Sequence, residues 1–541
     1  MTAKYDVIVL GAGPNGLEAG AYLSKAGLKV CVLERRFESG GGLATEEVTI
    51  PDFYHNTHAN YMMMVDYAPV YKDMELEEKY RCKHLLPSLV VALPLSDGRS
   101  IGIYNDLEKT CQSIAQFSQR DADSYRELYH LAEKCVDLFI APATYVPPTP
   151  VLDQLVALQA TEIGKTILEY SERTAVDIVN EYFENEHVRA LMLFLGCHWG
   201  VRYDMAGIGY LVLLYINRAS NYRLCLGGSH TVAQALNKIV HENGGVVLNN
   251  QRVKRILTEN GTATGVELNN GSVIEVEKAI VSSLDPAQTF LKLVGPDNLD
   301  GEFVKKIEGW QWENYSLLGL HLALEEPPIF KAAETNPEMN QAFMYVLGYE
   351  TSEELIADWD AMGQGELREN NNIYACFPSV HDPSMAPPGR AVGYINQMAP
   401  YELKDGAEKW LDHRFRQAHA EKCIATLQRY APNITGDKVM EKFISTPVDV
   451  ENKFADMVKG SFKQGAYHVF QMGYLRPNEE CSTTRTPVGN LYLAGSSCYP
   501  GGCVIWGPGY LAANAVAEDL GVSKWWKEPE IVTRAKKEGL L

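Results

Sequence analysis

Four residues near the start of the chain have the types and spacing that a dinucleotide site needs. Gly11, Gly13 and Gly16 form a G-x-G-x-x-G pattern, and Glu34 follows about 20 residues later. The first glycine permits a tight turn, the second lets the backbone approach a pyrophosphate, and the third lets a helix pack closely on a strand. An acid at the position of Glu34 can accept hydrogen bonds from ribose hydroxyl groups. The pattern therefore predicts a site for the ADP half of a dinucleotide.

The residues around these glycines predict the elements that must position them. The stretch "YDVIVLG" is typical of a buried strand because β-branched residues dominate it, and "GLEAGAYLSKAG" is typical of a helix that Gly27 closes. The N-terminus of that helix directs free N–H groups and a partial positive charge at the phosphates. A second strand, "KVCVLE", then ends at Glu34. This order of strand, loop, helix, strand and acid favours a Rossmann-type unit over a glycine turn without a ligand.

Two further glycine-rich segments indicate which dinucleotide is bound. Directly after Glu34 the chain reads "RRFESGGGLATEEV", which resembles the second FAD motif of many two-domain flavoproteins and is not expected in an NAD-only dehydrogenase. The stretch from Asn490 to Leu520 predicts a strand, a glycine-rich turn and an alanine-rich helix. The N-terminus of that helix, near Gly507 to Gly509, could stabilise negative charge on a reduced flavin ring. FAD is therefore the predicted cofactor.

The composition limits the class of protein and its partners. The 541 residues, with 46% apolar content, can bury a large core and should divide into two or more domains. Asp and Glu outnumber Lys and Arg by 69 to 49, and this net charge of -20 argues against nucleic acid as a partner.

The eleven cysteines are scattered without a C-x-x-C pair and no leader precedes the first strand, so a cytoplasmic location is expected. The longest apolar run, Met205 to Ile216, is too short to span a bilayer and predicts a core helix or an interfacial element.

Motifs from one end of the chain to the other match a single family. The matching segments include "GAGPNGLEAGAYL", "GGGLATEE", "PDFYHNTHANY", "LGGSHTVAQALNKIVHENGGVVLNNQRVKRI" and "NLYLAGSSCYPGGCVIWGPGY". With them the chain resembles the phytoene desaturase-like FAD oxidoreductases of the flavin amine oxidase superfamily, and most of all the pyridine nucleotide-disulphide oxidoreductase domain-containing protein 2 group. The resemblance implies an α/β fold with a Rossmann-type FAD-binding domain and a discontinuous α+β substrate or cap domain. The FAD-binding domain is expected from residues 1–70, 222–300 and 480–541, and the cap from residues 71–221 and 301–479.

The resemblance also implies which residues hold FAD. The first glycine motif and Glu34 are expected at the ADP half, and the second motif along the diphosphate and ribityl chain. The backbone of Val253 is expected to meet the adenine, and the C-terminal turn to neighbour the diphosphate and the flavin ring. The complete expected set is Gly11, Gly13, Pro14, Asn15, Gly16, Glu34, Arg35, Arg36, Gly41, Gly42, Leu43, Ala44, Thr45, Val253, Gly495, Ser496, Gly502 and Cys503.

Four residues near the expected flavin ring are catalytic candidates. His55 and His58 follow the second FAD motif, where the resemblance puts the chain beneath the isoalloxazine, and a neutral histidine could act there as an acid or a base. Tyr499 and Trp506 flank the C-terminal turn and replace a histidine and a small residue of the family pattern; they could stack on the substrate, and Tyr499 could supply a hydroxyl. Each of the four could equally be structural. His198, at the end of an apolar helix, is expected to pack in the core.

The resemblance and flavin chemistry lead to one expected function and three alternatives. The resemblance to desaturase-like proteins implies a desaturase or dehydrogenase that oxidises or reduces a C–C bond of an apolar or alicyclic small molecule, with hydride transfer to flavin N5. The alternatives are a redox-neutral isomerase that uses reduced FAD, an amine oxidase, and an interaction protein whose FAD is structural; the missing lysine in the C-terminal motif disfavours the amine oxidase. The sequence shows no second nucleotide motif and no metal cluster, so electrons are expected to enter or leave through the substrate, oxygen, a quinone or a separate carrier. A homodimer and contact with a membrane surface are further expectations.

Overall fold

The computed structural model describes residues 3–541, which form two large sheets and a layer of helices. The strands are β1 (Ala3–Leu10), β2 (Val30–Leu33), β3 (Thr45–Glu46), β4 (His55–Asn56), β5 (His84–Leu85), β6 (Leu89–Pro94), β7 (Ser100–Tyr104), β8 (Leu224–Cys225), β9 (Val246–Leu248), β10 (Val253–Glu259), β11 (Thr262–Leu268), β12 (Val273–Ser282), β13 (Tyr315–Leu324), β14 (Met344–Leu347), β15 (Ile373–Cys376), β16 (Ala391–Pro400), β17 (Val439–Ser445) and β18 (Leu491–Leu493). The α-helices are α1 (Pro14–Lys25), α2 (Pro69–Asp73), α3 (Leu107–Ala115), α4 (Gln119–Cys135), α5 (Ala141–Ala143), α6 (Val151–Gln159), α7 (Glu162–Glu172), α8 (Ala175–Tyr182), α9 (Glu186–Cys197), α10 (Tyr210–Arg218), α11 (His230–Glu242), α12 (Gly301–Glu308), α13 (Ser352–Gly363), α14 (His413–Tyr430), α15 (Pro447–Lys453), α16 (Gly507–Asp519) and α17 (Glu530–Lys537). There are two π-helical segments: Val136–Ile140 follows α4, and Ala287–Val294 follows β12.

The first sheet carries the nucleotide motifs. Its strand order is β10-β11-β12-β1-β2-β9, and β18 pairs with the second half of β12. Strands β12, β1, β2 and β9 run parallel, and residues 7–10 of β1 lie in register with residues 30–33 of β2. Both of these strands are covered on two faces, which explains their continuous apolar sequences. Because parallel strands end at the same edge, the glycine loop after β1 and Glu34 after β2 come together there.

Helices from distant parts of the sequence cover the first sheet. On one face α1, α11 and α16 pack together, and their apolar side chains share a core with Val7 and Val9. On the other face Ile8 packs in a core with Phe290 and Phe303. Since α16 lies against α1, the last motif of the chain is brought to the first.

The second sheet comes from the regions between the nucleotide motifs. Its strand order is β17-β13-β16-β15-β14-β6-β7, and its pairs are antiparallel except for the parallel pair of β14 and β6. All strands of the first sheet fall in the segments expected for the FAD-binding domain, and all strands of the second in the segments expected for the cap. The predicted α/β class is confirmed, while the exact domain boundaries stay a prediction.

The apolar run near the middle of the chain forms a core helix. The run overlaps α10 from Tyr210 onward; every residue of α10 after Tyr210 is buried, and α10 packs on α4 and α9. Within residues 3–541 no helix has both the length and the apolar content required to cross a bilayer.

Candidate active site

The glycine loop between β1 and α1 has the geometry of a pyrophosphate site. Gly11 has a φ of +90°, which side-chain-bearing residues rarely adopt, and its N–H donates to the carbonyl of Leu33 at 2.8 Å. A Cβ on Gly16 would lie 2.1 Å from the carbonyl oxygen of Gly11, so the helix approaches the loop too closely for any side chain. A Cβ on Gly13 would meet no atom within 4 Å, so this side of the loop is open. Because α1 begins directly after Gly13, its unpaired N–H groups are available to an anion.

Glu34 is buried at the end of β2, with its carboxylate held across the loop. Its Oε2 accepts from the N–H of Ala12 at 2.9 Å, and its Oε1 accepts from the N–H of Arg36 at 2.8 Å. A carboxylate offers about four acceptor positions, so capacity remains for ribose hydroxyl groups. The backbone therefore orients this acid before any ligand binds.

The second glycine segment lies directly against the first. The N–H of Gly40 donates to the carbonyl of Ala12 at 2.7 Å, and a Cβ on Gly41 would stand 3.0 Å from the Cα of Gly13. Gly41 and Gly42 then line the same cavity as Gly13. The two motifs thus form one continuous wall, as the sequence predicts for a shared diphosphate.

A cluster of charged groups stands beside the second motif. Glu46 pairs with Lys453 at 2.5 Å and with Arg36 at 3.7 Å, and the Arg36 guanidinium lies 5.1 Å from the ring of Phe454. Arg35 instead donates to the carbonyl of Lys453 at 2.6 Å. Lys453 and both arginines line the cavity, so they can present positive charge to a diphosphate.

The end of the second motif lies behind its glycines, away from the cavity. It comprises three residues that the sequence also assigns to the cofactor: Leu43, Ala44 and Thr45. Leu43 and Ala44 are buried, and the carbonyl of Leu43 accepts from His230 Nδ1 at 3.0 Å. Thr45 Oγ1 donates to Asn56 Oδ1 at 2.8 Å and accepts from the N–H of His230 at 3.1 Å. All three residues lie outside the cavity lining, and their part in FAD binding stays a prediction.

The C-terminal turn closes the cavity from the far end of the sequence. Asn15 Nδ2 donates to Ser496 Oγ at 3.4 Å and so joins the first motif to the last. Cys503 and Val504 line the cavity with φ values of +68° and +54°, which are rare for residues other than glycine and least favourable for a β-branched one. Such strain persists only where the surrounding structure imposes it, and it concentrates at functional sites.

One cavity of about 430 Å³ joins these segments. It also reaches Val253, the residue expected at the adenine. Of the expected cofactor residues, its lining includes Gly11, Gly13, Pro14, Asn15, Glu34, Arg35, Arg36, Gly41, Gly42, Val253, Ser496 and Cys503, while Gly16, Leu43, Ala44, Thr45, Gly495 and Gly502 lie behind it. The open loop, the oriented acid, the helix N-terminus and the adjacent cations fit FAD, whose flavin accepts hydride at N5 when bound.

Beyond the nucleotide segments the cavity is lined by aromatic side chains. Tyr61, Trp199, Tyr374 and Tyr394 contribute rings, and His198 lies among them. The rings of Tyr61 and Trp199 meet nearly edge to face, with centroids 5.5 Å apart. We call this part of the cavity the aromatic region.

His198 is held by carbonyls at one ring nitrogen and by phenols at the other. Its Nδ1 lies 3.2 Å from the carbonyl oxygens of Phe194 and Leu195, and since carbonyls only accept, Nδ1 carries the proton. Its Nε2 lies 3.3 Å from the hydroxyl of Tyr61 and 3.4 Å from that of Tyr222. Burial lowers the pKa of His198 to about 4, so at neutral pH the ring is neutral and Nε2 accepts. The predicted core packing is found, together with a polar edge that reaches the cavity.

His58 is the one predicted catalytic residue that lines the cavity. Its ring packs edge to face on Phe454, with centroids 4.6 Å apart, and its Nε2 is buried without a hydrogen-bond partner in the protein. Burial, together with the charges of Lys453 and Arg36, holds the pKa of His58 well below its usual value. An unpaired, neutral ring nitrogen is thus available to a bound ligand, and the catalytic role itself stays a prediction.

The other three predicted catalytic residues lie outside the cavity lining. His55 Nε2 shares a hydrogen bond with Thr49 Oγ1 at 2.8 Å. Tyr499 donates its hydroxyl to the carbonyl of Ala143 at 2.6 Å, and Trp506 is fully buried with a φ of +61° just before α16. These contacts favour structural roles for His55 and Tyr499, whose polar groups are bonded within the fold. The ring of Trp506 packs in the core, and its Nε1 is buried without a hydrogen-bond partner in the protein.

A buried lysine supports the C-terminal turn. Lys463 Nζ donates to the carbonyl of Gly200 and to the hydroxyl of Tyr315, each at 2.8 Å, and lies 3.8 Å from Glu313 Oε1. Burial lowers the pKa of Lys463, and Glu313 acts in the opposite direction. A Cβ on Gly502 would stand only 3.0 Å from the Cα of Lys463, so this cluster fixes the turn that carries Cys503.

Sequence reasoning singled out His198 but favoured core packing for it, and it singled out neither the tyrosines of the aromatic region nor Lys463. Tyr61 ends the "PDFYHNTHANY" segment, so a signal existed there and went unused. Lys463 and Glu313 lie outside every motif that the sequence analysis used, and only the fold brings them to the turn.

Comparison with known proteins places the chain in a family. Residues 16–517 match the family described as flavin containing amine oxidoreductase. The chain therefore belongs to the flavin-containing amine oxidoreductase family. The predicted cofactor, FAD, and the predicted class, an FAD-dependent oxidoreductase, are confirmed.

Relatives over the full length refine this assignment. A limonene dehydrogenase subunit of Castellaniella defragrans is 39% identical over 549 residues, which cover 99% of this chain and 98% of that protein. Pyridine nucleotide-disulfide oxidoreductase domain-containing protein 2 of Rattus norvegicus is 28% identical over 557 residues, with coverage of 96% and 94%. A 4,4'-diapophytoene desaturase of Methylomonas is 23% identical over 548 residues, with coverage of 98% and 99%. The predicted resemblance to the desaturase-like branch is confirmed.

A solved structure shows the same fold. Cyclohexylamine oxidase from Brevibacterium oxydans superposes with a TM-score of 0.54 at 15% identity, and the match covers 96% of this chain and 99% of that one. At this identity the likeness concerns the architecture alone.

Proposed function

We propose that the protein is an FAD-dependent dehydrogenase or desaturase that acts on an apolar, alicyclic small molecule. The observation that carries the proposal is the 39% identity to a limonene dehydrogenase subunit, which extends over 99% of this chain and 98% of that protein. Limonene is an alicyclic hydrocarbon without a charged group. The similarity to a diapophytoene desaturase adds support for chemistry at carbon–carbon bonds.

The aromatic region supports an apolar substrate. Tyr61, Trp199, Tyr374 and Tyr394 offer ring surface against which a hydrocarbon can pack, and Cys503 lies in the same lining. The protein's contribution is to place a C–H bond of the substrate against the flavin and to manage the proton that leaves. The glycine segments and Glu34 hold the ADP half at the other part of the cavity, so the two tasks are separated in space.

An amine oxidase is the second candidate, because the family that matches residues 16–517 is described as flavin containing amine oxidoreductase. An ammonium group taken out of water needs a partner of opposite charge. Two carboxylates, Glu34 and Asp456, line the described part of the cavity. Burial raises the pKa of Asp456 to about 7, and the negative charges of Asp285 and Glu34 act in the same direction. Both carboxylates belong to the nucleotide part of the cavity. The aromatic region therefore favours a neutral substrate over an amine.

Further partners belong to the same proposal. Oxygen, a quinone or another carrier would reoxidise the flavin, since the single G-x-G-x-x-G motif is assigned to FAD. Contact with a membrane surface is supported by α6, on which Leu152 and Val156 are 76% and 69% exposed. A homodimer and a cytoplasmic location complete the proposal, and the location is supported by ten free cysteines that are buried. Sedimentation with phosphatidylcholine vesicles, sedimentation velocity and cell fractionation test these three points.

Anaerobic mixing of the purified holoenzyme with candidate substrates tests the function. We expect an unsaturated cyclic monoterpene hydrocarbon to bleach the visible absorbance of the flavin, because hydride transfer reduces it. The saturated hydrocarbon of the same skeleton is the matched control and should leave the absorbance unchanged. Bleaching by cyclohexylamine or putrescine, without bleaching by the hydrocarbon, would replace the proposal with an amine oxidase.

A further inference from the structure

Tyr61 and His198 form a hydrogen-bonded pair in the aromatic region. The hydroxyl of Tyr61 lies 3.3 Å from His198 Nε2, and both side chains line the cavity. Because His198 Nδ1 donates to backbone carbonyls, Nε2 has no proton of its own and accepts that of Tyr61. Catalytic hydrogen bonds are often long before the substrate is bound, so this distance is compatible with proton transfer in a closed complex.

We infer that Tyr61 is a catalytic residue that takes a proton from the substrate while it passes its own proton to His198. The inference rests on the proposed function. Desaturation breaks two neighbouring C–H bonds: the hydride of one would pass to FAD, which the glycine motifs and Glu34 would hold and which would take up the two electrons that the substrate loses. The other C–H bond gives its proton to the Tyr61 oxygen, and its electron pair forms the new C=C bond. At the end of the step Tyr61 is neutral again and His198 Nε2 carries the proton.

A neutral phenol and imidazole are adequate for this step. Burial raises the pKa of Tyr61 well above its usual value and lowers that of His198 to about 4, so both groups are uncharged at rest. A carbon that has lost hydride is positively charged, which makes the neighbouring C–H bond strongly acidic. A weak base placed in contact with that bond is therefore sufficient.

Tyr61 lines the cavity and is also hydrogen-bonded to a histidine, whereas the other phenols nearby lack one of these two features. Tyr374 lines the cavity, but its hydroxyl accepts from Asn396 Nδ2 at 2.5 Å, and an amide cannot take up a proton. Tyr222 contacts His198 Nε2 but lies outside the cavity lining. Among the described residues, Tyr61 is the cavity-lining phenol that is hydrogen-bonded to a histidine.

Single-turnover reduction of the flavin in variants tests the inference. Tyr61→Phe keeps the ring and removes the hydroxyl, and His198→Gln keeps a side chain that can accept a hydrogen bond but cannot store a proton. We expect each variant to reduce its flavin about 10²–10⁴-fold more slowly at saturating substrate. The substrate Kd, the flavin content and the Tm should stay near those of the wild type. Because the two residues act as one unit, the double variant should be no slower than the slower single variant.

Tyr222→Phe is the matched control, because it removes the same group from the same acceptor without touching the cavity. It should lose far less of the reduction rate. An equal loss in Tyr222→Phe would show that the network is only structural, and a wild-type rate in Tyr61→Phe would overturn the inference while leaving the proposed function intact. Failure of every hydrocarbon to reduce the wild type would overturn both.

A second measurement does not depend on turnover. The ¹⁵N chemical shifts of His198 in the holoenzyme report which ring nitrogen carries the proton, with His198→Gln used to assign the signal. We expect the neutral ring with the proton on Nδ1. A proton on Nε2 would remove the acceptor that the step requires and would overturn the inference.

Discussion

Glu34 joins two segments of the cavity lining with one side chain. Its oxygens hold the N–H groups of Ala12 and Arg36, so the glycine loop and the start of the second motif are tied to the same carboxylate. One carboxylate therefore holds two segments of the cavity lining in place, and its contact with ribose stays a prediction.

We expect Glu34→Ala to raise the Kd for FAD by at least about tenfold. Each hydrogen bond to a charged group contributes about 1.5–3 kcal/mol, and about 1.4 kcal/mol corresponds to a factor of ten. Titration of the deflavinated protein with FAD measures the change. Glu34→Gln keeps one acceptor oxygen and should show a smaller loss. An unchanged Kd in Glu34→Ala would mean that the acid does not contact the cofactor.

The sequence predicts a catalytic role for Tyr499, whereas its contacts favour a structural role. Its hydroxyl donates a hydrogen bond to the carbonyl of Ala143. Tyr499 lies outside the lining of the cofactor cavity and lines a second cavity of about 540 Å³. We expect Tyr499→Phe to lower the free energy of unfolding by about 1 kcal/mol, the usual net contribution of one hydrogen bond, and to retain the rate of flavin reduction. Denaturant unfolding and stopped-flow reduction measure the two effects. A large loss of rate at unchanged stability would support the catalytic role that the sequence predicts.

The pairing of β3 with β4, and the ion pair between β3 and α15, hold the second FAD motif. Glu46 at the end of β3 pairs with Lys453 at the end of α15 and with Arg36. Burial alone would raise the pKa of Glu46, but the hydrogen bonds from Lys453 and Thr57 and the charge of Arg36 outweigh it and lower the pKa. The ionised carboxylate is therefore the form that stabilises this junction.

The sign of this shift gives a prediction about pH. A carboxyl group whose pKa is lower in the folded state stabilises the fold above its unfolded pKa, and the stabilisation is lost as the pH falls through the folded value. Glu46→Gln should therefore lower the Tm at neutral pH, by an amount equivalent to about 1 kcal/mol. The difference from the wild type should shrink as the pH falls below 4.5, the ordinary pKa of the group. Melting curves across this range measure it, with Glu78→Gln on the surface as the control; a difference that does not depend on pH would contradict the account.

Across the whole molecule, the site is assembled from both ends of the chain. The first motif follows β1, the last precedes α16, and the packing of α1 on α16 brings them together. The aromatic region comes from elsewhere, since Tyr61 follows β4, His198 follows α9 and Tyr374 lies in β15. Under the proposed function, the nucleotide motifs would bind FAD and the aromatic region would contact the substrate.

The same arrangement explains how much the sequence could predict. Gly11, Gly16 and Glu34 could be predicted because their requirements are local: a turn, a close approach and the end of a strand. The pairing of Tyr61 with His198 joins residues 137 positions apart, and neither periodicity nor a motif indicates it. The placement of Tyr499 could not be predicted either, because the direction of its hydroxyl depends on where Ala143 lies.

The most direct test of the central claim is to identify the product of one anaerobic turnover. The holoenzyme would be mixed with an unsaturated cyclic monoterpene hydrocarbon in the absence of any electron acceptor, and the organic extract analysed by mass spectrometry while the flavin absorbance is recorded. A dehydrogenase should give one reduced flavin for each molecule of a product that lacks two hydrogens. A product of unchanged mass, formed by the oxidised holoenzyme or by holoenzyme whose flavin has been reduced beforehand, would indicate a redox-neutral isomerase and contradict the account. Unchanged substrate and flavin with every hydrocarbon offered would contradict it as well.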